Sequence, residues 1–201
     1  MTKQWDSLEQ SLQTLADRAN PYGAYIGGQN NGKWVGCPLR VHRRCLDPMF
    51  SVANSIAYDD LMIQATSYKE SPLEKVFSTS RWIDVPRGKF DGNWSQDEGE
   101  ATLQLLSKII NSTNSLPSLY IISPFKGVES NIKKYLNENS WRLNKNLSST
   151  QKGQLYKWIN KSVGTIHKFQ GKQADGVVML LGGNPDKPGA INWASSYRAI
   201  A

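Results

Sequence analysis

The residues best equipped for chemistry lie between Val163 and Leu181, in the stretch VGTIHKFQGKQADGVVMLL. A β-type run, Val163-Gly164-Thr165-Ile166-His167, leads into a polar turn, Phe169-Gln170-Gly171-Lys172-Gln173. The apolar run Val177-Val178-Met179-Leu180-Leu181 that follows reads as a buried strand. Two strands around a Gly-containing polar connection form the kind of edge at which a parallel sheet binds phosphates and nucleic acid. Ile121-Ile122-Ser123-Pro124-Phe125 offers related chemistry. A hydroxyl at the carboxyl end of a strand, followed by a helix N-terminus, suits a phosphate, although the same residues also make an ordinary turn after a buried strand. Arg40, Arg43 and Arg44 place three guanidinium groups within five residues. Each is always charged and presents a planar donor fork that matches phosphate oxygens. The plainer reading of the cluster is a solvated basic surface.

Other constellations carry less. Cys37-x4-His42-x2-Cys45 has three metal-ligating types but no fourth ligand nearby, so no metal is expected. Gly27-x4-Gly32-Lys33 is a partial phosphate loop, but Trp34 stands where a Mg²⁺-ligating Ser or Thr is needed, and the residues after it read as extended rather than helical. Asp84, Asp91, Asp97 and Glu98 could suggest a metal nuclease, yet Glu98 completes a helix cap and the others border a polar loop. Of the seven tryptophans, Trp5 and Trp158 fall on apolar faces and Trp82 in a strand. Trp34 and Trp94, in loops, are left as candidates for base stacking.

The elements that must position these groups alternate between helix and strand. Residues 4–19 read as an amphipathic helix with Trp5, Leu8, Leu12, Leu15, Ala16 and Ala19 on one face. Asn20-Pro21-Tyr22-Gly23 stops it, and residues 20–36 are loop-like. Asp47 as N-cap and Pro48 in the first turn start a second helix, with Phe50, Val52, Ala53, Ile56 and Ala57 as its apolar face. A short strand is expected near Val76-Phe77 and another at Arg81–Val85, ending at Pro86. Ser95-x-x-Glu98 spells a capping box for a long helix to about Asn111, with Leu103, Leu106 and Ile110 inward. Leu119–Ile122 is a strand and Lys126–Leu136 a helix. Leu155, Trp158 and Ile159 mark a short helix or strand before Val163. The alternation predicts an α/β fold with a mainly parallel sheet.

With 201 residues, 39% hydrophobic and 20% charged, the chain is long enough for one sizeable core and ordinary for a globular protein. The net charge of +7 admits an anionic partner without requiring one. No apolar run approaches the ~20 residues of a membrane helix, and no apolar signal core follows Met1. Two cysteines make no disulfide scaffold, so a cytoplasmic setting is the default expectation.

The stretch from Gly164 to Asp175 resembles motif V of superfamily 1 helicases, in the branch of the nonsense-mediated-decay RNA helicase. Gly164, Thr165, Ile166, His167, Phe169, Gln170, Gly171, Lys172 and Asp175 fit, while Gln173 replaces a usual Glu. Pro38–Pro48 is similar to that branch's segment around a conserved arginine, with Arg44 on the arginine, His42 and Arg43 in place of Gln and Tyr, and one residue inserted before Pro48. Ser123-Pro124-Phe125 resembles the family's turn that touches the nucleic-acid backbone. The resemblance spans about Leu12 to Trp193 and implies the second RecA-like lobe of such an enzyme, a three-layer domain with a mainly parallel sheet over residues 37–193. Residues 1–36 would lead into it, and 194–201 would form a non-matching tail.

The resemblance implies roles as well. Arg44 would be a catalytic residue reaching the γ-phosphate of ATP across the cleft between lobes. Gly171, with Gln170 and Gln173, would border the nucleotide, the change at Gln173 removing a charge the family places near the ribose. Ser123, Thr165 and His167 would hold single-stranded DNA or RNA by its backbone. ATP and Mg²⁺ would belong to a full-length parent with a first RecA-like lobe, and none is expected tightly bound to this chain. Neither a usable triphosphate loop nor the motif VI helix is recognisable here, and Arg198 is no convincing substitute for the latter's arginine. The expectation is therefore an incomplete lobe that does not hydrolyse ATP alone. The alternative is a non-enzymatic nucleic-acid or protein interaction module derived from a helicase.

Overall fold

A computed structural model describes residues 12–26, 32–36, 40–85, 89–184 and 186–189. The chain divides into two compact units, Met1–Lys69 and Glu70–Ala201. The anticipated boundary at residue 36 falls inside the first. Trp5, Leu8, Cys37 and the stretch after Gly189 lie outside the described residues.

In the first unit, α1 (Leu12–Ala19) precedes an antiparallel hairpin of β1 (Gly23–Ile26) and β2 (Lys33–Gly36), where the sequence suggested only loop. Among the described side chains of α1 Asp17 is buried and Leu15 half-buried, while Leu12, Ala16 and Ala19 are exposed, so that part of the anticipated face is mostly outward. The cause is polar. The Asp17 carboxylate accepts the Gly36 backbone N–H at 3.1 Å, and its carbonyl accepts the Trp34 indole N–H at 2.9 Å. Trp34, edge-on to Tyr25, thus belongs to the hairpin and is no free stacking platform.

A small parallel unit follows, with β3 (Val41–His42) beside β4 (Ile63–Gln64) and α2 (Met49–Tyr58) between them. Pro48, not Asp47, is the cap residue of α2. The Asp47 carboxylate still accepts the backbone N–H of Ser51 at 3.1 Å and so closes the first turn. The anticipated apolar face is mostly exposed at Val52, Ala53, Ile56 and Ala57. Asn54 is the buried residue, exchanging hydrogen bonds with the Met62 backbone in both directions.

The second unit carries the main core. Val76-Phe77, near which a short strand is anticipated, lie in no strand, and a 3-10 turn, Pro72–Lys75, ends just before them. Ser71 caps it by accepting the Leu73 N–H, with Pro72 at its first position. Arg81–Val85 is not a strand: Trp82 and Ile83 are exposed, and Arg81 lies over the Phe77 ring at 5.4 Å. A local β-like composition does not make a strand without a partner to satisfy its backbone. The hairpin β5 (Phe90–Asp91) and β6 (Trp94–Ser95) leads into α3 (Gln96–Thr113). Leu103, Leu106 and Ile110 are buried on α3 as anticipated. Asn114, in the left-handed conformation, ends it by donating its N–H to the Ile110 carbonyl.

The expected capping box at Ser95 and Glu98 is not made. The chain forms one further on, where Ser148 and Gln151 exchange side-chain and backbone hydrogen bonds at the start of α5 (Ser149–Ser162). Between α3 and α5 come β7 (Leu119–Ser123) and α4 (Lys126–Glu138). After α5 come β8 (Val163–Thr165), α6 (Ile166–Phe169) and β9 (Gly176–Met179).

The sheet runs in the order β8-β7-β9, all parallel, which establishes the α/β class. The central strand β7 buries Leu119, Ile121 and Ser123 on one face, and Tyr120 and Ile122 are half-buried on the other. Ile121 joins Leu103, Leu106 and Ile110 of α3, Val128, Ile132 and Leu136 of α4, and Ile159 of α5 in one core. On the opposite face Tyr120 stacks on Phe169, ring centroids 4.2 Å apart. β9, anticipated as buried, is half exposed, because among the described residues it pairs on one side only, with Val177 and Met179 outward. Trp94 packs against Tyr135 and the core, and Trp158 donates its indole N–H to the Pro117 carbonyl.

Glu98 explains the failed box. Its carboxylate turns toward the Gly182 backbone, and Oε2 is buried with no hydrogen-bond partner. Burial pushes its carboxyl above the usual carboxylate range, with the Gly182 amide acting in the opposite sense. A carboxyl whose folded pKa is raised costs nothing below its unfolded pKa, and stability is lost as pH rises through the folded value. Glu98→Gln is therefore expected to raise the thermal midpoint at pH 7 to 8 by a few degrees. The gain should fade as the pH drops below the ordinary carboxylate range. A pH series of melting curves with no such convergence would contradict the assignment.

Candidate functional site

The parallel pairing brings two of the anticipated residues together. Ser123 and Thr165 are Cα partners at the carboxyl ends of β7 and β8, where an open parallel sheet places its ligands. Each strand end runs straight into a helix: Ser123-Pro124-Phe125 into α4, and Thr165 into α6. Ser123 is buried, and its hydroxyl accepts the Phe125 backbone N–H at 3.2 Å, which fixes the turn. Thr165 is half-buried in extended conformation and makes no side-chain cap to α6. His167 sits on α6 rather than in the strand, and its side chain is exposed.

A close approach in the backbone sets this turn. A Cβ built on Gly164 would lie 2.5 Å from the Lys168 Cδ and 2.7 Å from the Phe169 Cε2, so the first turn of α6 can fold back onto β8 only over glycine. Phe169 then fills the space beneath and anchors α6 on Tyr120. Lys168 donates from Nζ to the carbonyls of Asn160 and Val163, at 2.9 and 2.7 Å, and so satisfies the C-terminal end of α5. Burial, and then the neighbouring Lys133, hold its pKa below the usual lysine range. The nitrogens of Lys168 and Lys172 each lie 5.4 Å from the Phe169 ring centroid. Lys168 and Lys172 thus gather positive charge beside the strand ends, while Lys133 is ion-paired with Glu129. Lys168 and Lys133 did not emerge from motif reading, since their role depends on α4 crossing β8.

Gln170, Gly171 and Gln173 are exposed on the connection to β9. Gly171 has φ +79°, a conformation that disfavours a side chain, and no atom lies within 4 Å of a Cβ built there.

Arg44 belongs to the first unit, exposed on the connection between β3 and α2. Of its two neighbours, Arg40 is committed locally, donating from Nε to the Leu61 carbonyl at 2.7 Å. The His42 Nε2 accepts the Cys45 backbone N–H at 2.9 Å, a turn-forming role. No group of three or more His, Cys, Asp or Glu suited to a metal occurs among the described residues. Lys33 lies on β2 rather than at the start of a helix, where a triphosphate-cradling loop would place it.

A model of the AAA domain family matches residues 28–187. No curated protein and no solved structure matches the chain. No helix among the described residues is long and apolar enough to cross a membrane.

Proposed function

We propose, from the premise that this chain belongs to the AAA domain family and holds a helicase-like α/β domain of the RecA type, that it serves as the second RecA-like lobe of a superfamily 1 helicase of the nonsense-mediated-decay type. In this reading the carboxyl edge of its sheet carries single-stranded DNA or RNA. The observation that supports it most is the in-register pair Ser123 and Thr165 at adjacent strand ends, each followed directly by a helix. Thr165 and His167 contact the backbone of the strand, and Lys172 adds charge that is indifferent to sequence. Ser123 acts as a positioning residue, because its hydroxyl shapes the turn from within.

ATP and Mg²⁺ would enter through a companion lobe that supplies the triphosphate loop. Arg44 would serve the γ-phosphate, where a guanidinium stabilises charge developing in phosphoryl transfer; the Gly171 backbone, with Gln170 and Gln173, would contact the nucleotide. Gln173 keeps hydrogen-bonding capacity without charge, which would weaken nucleotide contact relative to a glutamate. The chain alone does not turn over ATP.

Fluorescence anisotropy with a labelled single strand tests the reading. Thr165→Ala/His167→Ala is expected to weaken binding about five- to tenfold, the loss of one or two backbone contacts. Binding of the wild type should weaken further as salt rises. Affinity unchanged by the double variant, or steady ATP turnover that Arg44→Ala abolishes, would overturn it.

A further inference from the structure

A second basic surface lies away from the strand ends. A groove of 780 Å³ opens along α3, bordered by Gln104, Lys108 and Asn111 of that helix and by Trp141, Arg142 and Lys145 of the two 3-10 turns after α4, Ser140–Arg142 and Asn144–Asn146. Its lining has three cations and no acidic residue. Trp141 is 65% exposed, so its ring is open to solvent at the edge of the groove. The walls are built rather than loose. The Arg142 guanidinium forms two hydrogen bonds to the Glu100 carboxylate, at 2.7 and 2.6 Å, and the Tyr135 hydroxyl donates to the same carboxylate at 2.8 Å. Those contacts hold the Glu100 carboxyl down at about 2, so the pair stays charged at neutral pH. Across the groove, the Asn146 amide donates to the Asn111 side-chain oxygen at 3.1 Å.

Glu100 offsets Arg142, and among the described residues no ion pair engages Lys108 or Lys145, which border the same groove as the tryptophan. Lys108 is also held near the Phe77 ring at 5.5 Å. The position is distinct from the first site. α3 leads through residues 114–118 into the start of β7, so Asn111 and Ser112 lie toward the amino end of that strand. Ser123 closes its carboxyl end, about 13 Å away along the strand.

We infer that this groove is a second contact for single-stranded nucleic acid, with one base stacked on Trp141 and adjacent phosphates between Lys108 and Lys145. An aromatic face flanked by cations is the arrangement that grips a single strand without reading sequence. An acidic peptide would answer the two lysines but would leave the exposed indole without a stacking partner. The inference goes beyond the reading of the strand ends and stands or falls separately from it.

The test uses the full chain and a labelled oligothymidylate of twelve nucleotides, followed by anisotropy at two salt concentrations. Trp141→Ala is expected to weaken binding about tenfold, the size of one lost base stack, and Trp141→Phe to restore most of it. Lys108→Ala/Lys145→Ala should weaken binding and flatten its salt dependence by about two charges. Both effects should persist in the Thr165→Ala/His167→Ala background, which separates the two sites. These side chains lie at the surface, and matching melting curves would establish that the variants fold. Unchanged affinity in Trp141→Ala would overturn the inference. So would disappearance of its effect in the Thr165/His167 background, or displacement of the oligonucleotide by polyglutamate regardless of Trp141.

Discussion

Ile121→Ala is expected to destabilise the second unit by about 3–4 kcal/mol, within the usual range for emptying a fully enclosed isoleucine site. Ile121 is fully buried at the middle of β7, the strand that has a parallel neighbour on each side. Its side chain meets a core to which α3, α4 and α5 all contribute, so no single helix can settle inward to fill the space. The loss also bears on the proposed function, because Ser123 is two residues further along the same strand. A variant that remains folded should therefore bind a single strand less well at temperatures near its lowered midpoint and normally well below it. Urea unfolding followed by tryptophan fluorescence gives the free energy. A change under 1 kcal/mol would mean that the core around β7 is looser than its burial implies.

Gly164→Ala should rank next. Its new methyl would sit 2.5 Å from the Lys168 side chain and 2.7 Å from the Phe169 ring. The lysine tip could swing away, but only by releasing the Asn160 and Val163 carbonyls that it satisfies, and the ring is stacked on Tyr120. Overpacking of this kind costs about 1–3 kcal/mol. Unlike Ile121→Ala, it acts at the site itself, since relief requires α6 to move and α6 carries His167. On the proposed function, strand affinity should fall even under conditions where the variant is fully folded. Hydrogen exchange at the Ile166–Gln170 amides, faster in the variant, would locate the change. Wild-type affinity together with wild-type stability would show that the turn yields without cost.

Much of this arrangement could be read from residue order, and the parts that could not have physical causes. β7, α3 and the connection after β8 were visible because each combines strong apolar periodicity with distinctive punctuation: Leu103, Leu106 and Ile110 inward, and Pro124 and Gly171 at the turns. The parallel sheet followed from alternation alone. Arg81–Val85 misled because β-propensity describes fitness for a pleated, half-buried surface and says nothing of whether such a surface is nearby. The faces of α1 and α2 misled for another reason. Asp17 and Asn54 are buried to satisfy backbone groups many residues away, and periodicity cannot register a polar demand from elsewhere in the chain. At the candidate site, residue types pointed to Ser123 and Thr165, and only strand register could show them as partners. The groove around Trp141 had no local signature at all, since α3 and the two short turns meet there only in the folded chain.

The order of the sheet has a consequence for how the protein is made. β7 is synthesised before either of its neighbours, which lie dozens of residues later, on the far side of α4 and α5. A nascent chain that has not yet reached Val163 therefore carries its most apolar strand with both edges bare. Of the elements that later cover that strand, α3 and α4 are the first available. Unpaired strand edges on an apolar segment are the features through which incomplete chains find one another. Synthesis paused before β8 and β9 emerge would hold the molecule at its stickiest stage, whereas a chain that has emerged beyond β9 can pair both edges of β7.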